Sequence, residues 1–211
     1  MLLSNLKFGA FLTYVPRKEE HKRFIQSIKQ DKVLSNLGIT ISERIAREVK
    51  EKMSNNPNFS DFFGSDVYLV PVPKSSLMKS DTLWVSKRLA EEFSKLGMGN
   101  ILDCLERKTP VAKSSLSDPK NRPKPLDHYN SIIVKKSLGE PKKILLIDDV
   151  ITRGATLLGC ASKLKETFPN VSIKAFIAVQ SISNPQNFKN IEDPYIGQIT
   201  LLKDGNSSTN R

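Results

Sequence analysis

The sequence predicts an α/β protein in which a mostly parallel five-stranded sheet is flanked by helices. Three observations lead to this fold class. From Val67 onward, short apolar runs of strand length alternate with segments whose apolar residues recur at helical spacing. Gly and Pro residues separate these runs. Two further helical segments precede the first strand candidate. Strands that alternate with helices predict a parallel sheet covered on both faces.

The N-terminal segment contains two amphipathic helical patterns, at residues 17–30 and 41–53. Thr40 and Glu43 form a capping-box pattern that begins the second helix. Because both patterns precede the first strand candidate, they are expected to form a helical cap. The predicted organisation is an N-terminal helical hood at 1–55, a core at 56–202 and a flexible tail at 203–211.

The core is predicted to consist of alternating strands and helices. Strands are expected at 67–73, 101–105, 131–134, 143–147 and 171–179. Helices are expected at 80–96, capped by Ser80 and stopped by Gly97, and at 154–168.

A long segment at residues 106–130 separates two of these strands and contains four prolines. Loops of more than about 12 to 15 residues are uncommon inside compact domains unless they are functional or disordered. Residues 106–143 contain ten basic and four acidic side chains, within a chain of net charge +11. We interpret residues 106–130 as a basic lid, and His128 as a solvated histidine of that loop.

Several classes of protein are disfavoured by the composition. No apolar stretch approaches the roughly 18 residues of a membrane span, so a cytoplasmic protein without membrane contact is expected. Cys104 and Cys160 lie far apart, and neither has a second cysteine nearby. They are expected to be buried thiols, without a disulfide or zinc site.

The stretch ILLIDDVITRGAT, residues 144–156, carries the most specific chemistry. Two adjacent acids, Asp148 and Asp149, follow four aliphatic residues, and a Gly-containing turn with two threonines leads into a helix. Ligands of parallel sheets bind beyond the carboxyl ends of the strands, and a helix N-terminus after such a turn suits a phosphate. Carboxylates repel phosphate but accept hydrogen bonds from hydroxyl groups. Together these groups suit a sugar phosphate.

This stretch resembles the motif with which type I phosphoribosyltransferases bind 5-phosphoribosyl diphosphate (PRPP). VPVPKS at 70–75, ERKTPVAKSS at 106–115 and FIQSIKQDK at 24–32 resemble segments of the ComF-like, competence-related members. Such members often carry an N-terminal four-cysteine zinc module, whereas this chain has no cysteine before Cys104. The sequence KSSLMKSDT after VPVP also departs from the usual diphosphate loop.

The resemblance implies a type I phosphoribosyltransferase fold and a set of site residues. Asp148 and Asp149 would hold the ribose hydroxyls, and the loop Thr152, Arg153, Gly154, Ala155 and Thr156 would wrap the 5′-phosphate. Lys74 and Ser75 would meet the diphosphate. Arg107 and Lys108 would act in catalysis as the lid closes, and the two acids are included among the catalytic residues. Thr152 stands where hypoxanthine-type members carry an acidic base, which disfavours a 6-oxopurine acceptor.

The expected activity is transfer of the 5-phosphoribosyl group from PRPP to a small nitrogenous acceptor, with pyrophosphate released. Mg²⁺ is the expected cofactor, held mainly by PRPP and by Asp148 and Asp149 through water rather than by direct protein ligands. Three matters stay open. The chain could be a non-catalytic PRPP or nucleotide sensor, or a DNA-uptake protein that contacts nucleic acid, and it could form a homodimer.

Overall fold

The computed structural model describes residues 1–54, 57–78, 81–112, 118, 121–135 and 140–210. The strands within these residues are β1 Asn5–Tyr14, β2 Val33–Leu34, β3 Ile39–Thr40, β4 Tyr68–Pro71, β5 Asn100–Ile101, β6 Leu105–Arg107, β7 Ile132–Val134, β8 Lys143–Ile151, β9 Ser172–Ser181, β10 Tyr195–Leu201 and β11 Ser207–Asn210. The helices are α1 Glu19–Lys29, α2 Ile41–Ser54, α3 Pro57–Ser60, α4 Val85–Lys95, α5 Pro125–Ser131 and α6 Ala155–Thr167, with a 3-10 turn at Pro185–Asn187.

The main sheet has seven strands in the described part of the chain, in the order β11-β10-β1-β9-β8-β4-β5. Strands β1, β9, β8, β4 and β5 run parallel, and β10 and β11 continue the sheet antiparallel beyond β1. Helices α1, α2 and α4 pack on one face, and α6 packs on the other. The predicted α/β class, a large and mostly parallel sheet flanked by helices, is confirmed.

Strand β8 shows how the sheet is stabilised. Leu145 and Ile147 face the core beneath α1, α2 and α4, whereas Ile144 and Leu146 face the core beneath α6. All four are almost fully buried, because a central parallel strand is covered on both sides. Each buried aliphatic side chain contributes roughly 1.5 to 3 kcal/mol relative to exposure. This strand is therefore a rigid support for the residues that follow Ile147.

Two expectations about the chain termini are wrong. Asn5–Tyr14 is not part of a helical cap, because it forms β1 and lies between β9 and β10 in the main sheet. The end of the chain is not a free tail, because Ser207–Asn210 pairs with β10 as an edge strand. Both strands are stabilised by partners that are remote in sequence. The helices α1 and α2 were predicted, and Glu43 N–H does donate to Thr40 Oγ1 (3.2 Å).

Two of the predicted core strands differ from expectation. Residues 132–134 pair antiparallel with Leu105–Arg107 in a separate two-stranded ribbon, outside the main sheet. Of the predicted strand at 101–105, only Ile101 joins the main sheet, as part of β5. Helix α4 begins at Val85, and the predicted cap Ser80 lies outside the described residues. Cys104 and Cys160 are buried free thiols, as expected.

Candidate functional site

The candidate site lies at the edge of the sheet where the parallel strands end. Strand β4 pairs with β8 as far as Pro71 and Ile147, and Val72 N–H then donates to the Ile147 carbonyl (2.9 Å). Strand β8 continues to Ile151. Asp148 and Asp149 therefore lie within the last part of β8, not after its end as the sequence suggested. They occupy the stretch where β8 has already lost β4 as a neighbour.

Asp148 is partly buried and accepts two hydrogen bonds from the protein. Its Oδ1 accepts hydrogen bonds from Ser86 Oγ and from Asp149 N–H, both at 3.0 Å. Burial, and then the charge of Asp149, raise the pKa of Asp148 well above its ordinary value. Asp149 Oδ1 in turn accepts from Val150 N–H (2.8 Å). A carboxyl group with a raised pKa beside a second acid is costly to keep for stability alone, and such groups are typical of functional sites.

The turn after β8 presents the N-terminus of α6. Gly154 precedes the helix in the left-handed conformation, with φ of 77°, and its carbonyl accepts the first helical hydrogen bond from Leu158 N–H (2.9 Å). Glycine adopts this conformation without strain. The first N–H groups of a helix have no partner within it, so those after Gly154 are available to an anion. Ala155 is buried, while Thr152 is exposed.

Gly154 is also constrained from behind. A Cβ built on this residue would lie 2.7 Å from the side chain of Ile199 on β10. In the structure such an atom would collide with the core. Glycine is thus required here both for its positive φ and for the packing of β10 beneath the loop.

The hairpin of β10 and β11 holds the other side of this loop. Thr209 Oγ1 donates to the Thr152 carbonyl (3.0 Å), and Arg153 Nη1 donates to Asn206 Oδ1 (3.5 Å). Burial, and then the positive charge of Arg122, lower the pKa of Arg153. The residues expected to be a flexible tail therefore stabilise the conformation of residues 152–154.

His128 lies behind the first turn of α6. It is 2% exposed, so the expectation of a solvated loop histidine is wrong. Its Nε2 lies 3.4 Å from Thr156 Oγ1. Burial, and then the charge of Arg107, lower the pKa of His128 to about 4. The imidazole is neutral near pH 7 and contacts Thr156, which belongs to residues 152–156, the candidate phosphate loop.

The loop after β4 carries Lys74 and Ser75. Lys74 Nζ donates to the Leu83 carbonyl (3.0 Å), and the Ser75 carbonyl accepts from Val111 N–H (2.8 Å). The side chain of Lys74 is thus close to the start of α4, and residues 73–75 lie against the segment that follows β6.

Arg107 holds this loop from beneath. Its guanidinium donates to the carbonyls of Pro73 and Lys74 and to Ser131 Oγ, and the residue is only 3% exposed. Burial lowers its pKa, an effect opposed by Cys160 and Asp148. The neighbouring Lys108 is exposed, and its N–H donates to the Ser131 carbonyl (2.8 Å). The expected lid begins here, and residues 113–117 and 119–120 lie outside the described part.

The structure thus brings most of the predicted site residues to one edge of the sheet. Three contributors were missed: Ser86 beneath Asp148, His128 beside Thr156, and the C-terminal hairpin beneath residues 152–154. None of them is near the motif in sequence. Only their shared proximity to one turn reveals them, and no local pattern encodes that.

The carboxylates of Asp148 and Asp149 are the groups at this site that could hold a magnesium ion. Among the residues described, no group of three or more His, Cys, Asp or Glu side chains is arranged to hold a metal ion. Mg²⁺ usually keeps several waters and takes one or two carboxylates together with phosphate oxygens. Asp148 and Asp149 fit that pattern.

Where the chain is described, no helix has the length and apolar character needed to cross a bilayer.

Comparison with solved structures gives partial similarities. No protein-family model and no curated protein matches the chain. A hypoxanthine phosphoribosyltransferase from Staphylococcus aureus is 18% identical in two crystal forms, covering 71% of this chain and 68% or 66% of that protein, with TM-scores of 0.34 and 0.32. The Thermus thermophilus protein TT1426 is 14% identical, covering 71% of this chain and 86% of that protein, with a TM-score of 0.34.

Proposed function

We propose that this chain binds PRPP and transfers its 5-phosphoribosyl group to a small nitrogenous acceptor, releasing pyrophosphate. The observation that carries the proposal is the junction of β8 and α6. A carboxylate pair, a left-handed glycine and the N-terminus of a thirteen-residue helix follow one another at the open edge of the sheet. A ligand that carries hydroxyl groups and a phosphate a few ångströms apart matches this arrangement, because the carboxylates accept from hydroxyl groups and the helix N-terminus donates to a phosphate.

Each part of the junction takes one part of PRPP. The loop from Thr152 to Thr156 donates backbone N–H groups and threonine hydroxyls to the 5′-phosphate. Asp148 and Asp149 accept hydrogen bonds from the ribose hydroxyls. The partly buried Asp148 loses hydrogen bonds to water on folding, and a hydrogen bond from a ribose hydroxyl would replace one of them. A role in binding therefore explains why a carboxyl group with a raised pKa is kept there.

The transfer breaks the bond between ribose C1 and the diphosphate oxygen, and the electron pair leaves with pyrophosphate. The acceptor nitrogen forms the new bond to C1 and loses its proton. Lys74 and Lys108 are the cations proposed to meet the leaving diphosphate, with the hydroxyl of Ser75 beside them. When bound, Mg²⁺ would neutralise part of the diphosphate charge, with Asp148 and Asp149 holding its waters. Arg107 fixes the Pro73 and Lys74 carbonyls; direct contact between Arg107 and diphosphate stays a prediction.

A second candidate function is a PRPP-binding protein without turnover. The observation in its favour is that the guanidinium of Arg107, the side chain expected to act on the diphosphate, is buried and donates to protein acceptors. Release of pyrophosphate in the presence of Mg²⁺ and a panel of nitrogenous acceptors separates the two functions. Because Thr152 replaces an acidic base, the panel should contain acceptors other than 6-oxopurines.

The third alternative, a DNA-uptake protein, rests on the net charge of +11 and on the resemblance to ComF-like proteins. Among the described residues, several basic side chains are paired with acids. Lys52, Lys87 and Lys143, for example, each lie 2.7 Å from a carboxylate oxygen of Glu192, Asp103 and Asp66 respectively. Charges paired in this way are less available to a nucleic-acid backbone than an unpaired basic stripe would be.

Thermal unfolding with and without ligand tests the proposal. PRPP with Mg²⁺ at a hundredfold excess over its Kd should raise the free energy of unfolding by roughly 2.7 kcal/mol. The double variant Asp148→Asn, Asp149→Asn should fold and lose this stabilisation. Asp66→Asn is the matched control, because Asp66 precedes β4 at the opposite end of the strands and should leave binding unchanged. Unfolding of the unaltered protein that does not respond to millimolar PRPP and Mg²⁺ overturns the proposal.

A further inference from the structure

His128 on α5 is buried, and it reaches Thr156 of the candidate phosphate loop because helices α5 and α6 pack closely together. Helix α5 packs on α6, where Gly159 leaves room for it. A Cβ on Gly159 would lie 2.7 Å from the Cβ of His128 and from the Pro125 carbonyl oxygen. The missing side chain at Gly159 is what allows His128 to approach α6 and reach Thr156, one turn earlier on the same helix.

The two ring nitrogens of His128 have different surroundings. Nε2 lies 3.4 Å from Thr156 Oγ1, whereas the buried Nδ1 has no hydrogen-bond partner among the described residues. A neutral imidazole carries one N–H and one lone pair, and a buried N–H without an acceptor is costly. The hydrogen is therefore better placed on Nε2, where the threonine oxygen can accept it.

The threonine hydroxyl then has a defined direction. A hydroxyl group has one hydrogen and two lone pairs. If Nε2–H occupies one lone pair of Thr156 Oγ1, the hydroxyl hydrogen is left for another acceptor. Thr156 belongs to the first turn of α6, two residues after Gly154, where the backbone N–H groups are also available to an anion.

We propose that His128 is a positioning residue for Thr156: its Nε2–H donates to Thr156 Oγ1, so that the threonine hydroxyl donates to a phosphate oxygen bound at residues 152–156. This inference deepens the proposed function and rests on it. The ligand class is a phosphomonoester, such as the 5′-phosphate of ribose 5-phosphate.

The position of His128 is fixed by groups on the other side of the site. The His128 carbonyl accepts from Ser131 Oγ (2.9 Å), and the same hydroxyl oxygen accepts from Arg107 Nη1. Arg107 in turn donates to the carbonyls of Pro73 and Lys74. His128 thus lies between the loop after β8 and the loop after β4. The guanidinium of Arg107 holds the loop after β4 and, through Ser131, also anchors helix α5, which carries His128.

Nuclear magnetic resonance of the ¹⁵N-labelled protein tests the proton position directly. The chain contains two histidines, His21 and His128, so the variant His128→Gln assigns the spectrum. At pH 7, His128 should be neutral with its hydrogen on Nε2. His21 should show the same tautomer, because its Nδ1 accepts from Val15 N–H (3.0 Å). A hydrogen on Nδ1 of His128 overturns the inference, and this readout needs neither a ligand nor a variant that must bind one.

A double-mutant cycle tests the effect on binding, with ribose 5-phosphate and inorganic phosphate as probes. His128→Leu should weaken ribose 5-phosphate binding roughly five- to tenfold, the worth of about one net hydrogen bond. His128→Gln should stay within about twofold, since its amide can donate from the position of Nε2, whereas His128→Asn should resemble the leucine variant. In a Thr156→Val background, His128→Leu should have no further effect.

The outcomes separate this inference from the proposed function. If the unaltered protein binds neither probe, the phosphate site itself fails and the proposed function fails with it. If the unaltered protein binds but the effects of His128→Leu and Thr156→Val are additive, or His128→Gln is as weak as His128→Leu, only the positioning role is overturned. Should His128→Leu fail to fold, the glutamine and asparagine pair decides the same question.

Discussion

The two loops that border the candidate site are held in place in opposite ways. The connection from β8 to α6 is only residues 152–154. Ile199 packs against it at Gly154, and Thr209 adds a hydrogen bond to the Thr152 carbonyl. In the connection from β4 to α4, the carbonyls of Pro73 and Lys74 accept hydrogen bonds from one buried side chain, Arg107.

This difference predicts how each loop fails. A loop fixed by close packing is sensitive to added volume, because a dense interior leaves no room for a new atom. A loop fixed by a buried guanidinium is sensitive to loss of that group, because its carbonyl partners are then left buried without a donor. In the proposed function the first loop holds the 5′-phosphate and the second meets the diphosphate.

The largest effect is expected from adding one atom to the first loop. Gly154→Ala should lower the free energy of unfolding by about 4 kcal/mol, since it combines a positive φ with a collision against Ile199. Gly97→Ala is the matched control. Gly97 has a φ of 71°, and among the described residues no atom beyond its chain neighbours lies within 4 Å of the position that a Cβ would take there. It should cost about 1 kcal/mol, the strain of the backbone alone. Equal losses in chemical denaturation would show that Ile199 does not constrain the loop.

The second loop should respond to removal of Arg107. Arg107→Met should lower the free energy of unfolding by about 3 kcal/mol, since three acceptors lose a buried donor. Affinity for PRPP should fall more than affinity for ribose 5-phosphate, which lacks the diphosphate. Lys108→Met introduces the same side chain at the exposed neighbour and should change stability by less than about 0.5 kcal/mol. Equal losses of affinity for both ligands would contradict separate roles for the two loops.

These two loops also mark how far the sequence could be interpreted alone. Residues 144–156 contain within one stretch the strand, the acid pair, the glycine and the helix start, so local physics was enough to predict them. The helices α1, α2, α4 and α6 were predicted for the same reason.

The errors have one physical cause, which is dependence on remote partners. Strand β1 is stabilised by β9 and β10, which lie at the other end of the chain. His128 is buried only because Gly159 lets α5 approach α6. The burial of Arg107 was also not predicted, because nothing near it in sequence indicates the carbonyls of Pro73 and Lys74.

Acid should weaken the support of the first loop through His128. Its pKa is about 4 in the folded protein and ordinarily about 6.5, so between these values the unfolded chain binds a proton that the folded protein does not. Stability is therefore lost as pH falls through this window. The contribution is about 2 kcal/mol between pH 7 and pH 5.

Urea denaturation at the two pH values measures this loss. His128→Gln should lose about 2 kcal/mol less than the unaltered protein over the same interval. His21 and the carboxyl groups titrate in both proteins and cancel in the comparison. An identical pH dependence in the two proteins would place the acid sensitivity elsewhere.

The smallest effect concerns the hairpin that supports the first loop from the C-terminal end. Thr209→Val keeps the shape of the side chain but removes the hydroxyl that donates to the Thr152 carbonyl (3.0 Å). Water can replace the donor at the Thr152 carbonyl, which is near solvent, but Gln180 Nε2 also loses Thr209 Oγ1 as its acceptor (3.1 Å). The loss of stability should therefore be about 1 to 1.5 kcal/mol, and ribose 5-phosphate affinity should fall by less than about threefold. Thr200→Val, on the neighbouring strand β10, is the control and should leave affinity unchanged. A loss at Thr209 as large as that of Gly154→Ala would mean that the hydrogen bond from the hairpin, rather than packing on Ile199, fixes the phosphate loop.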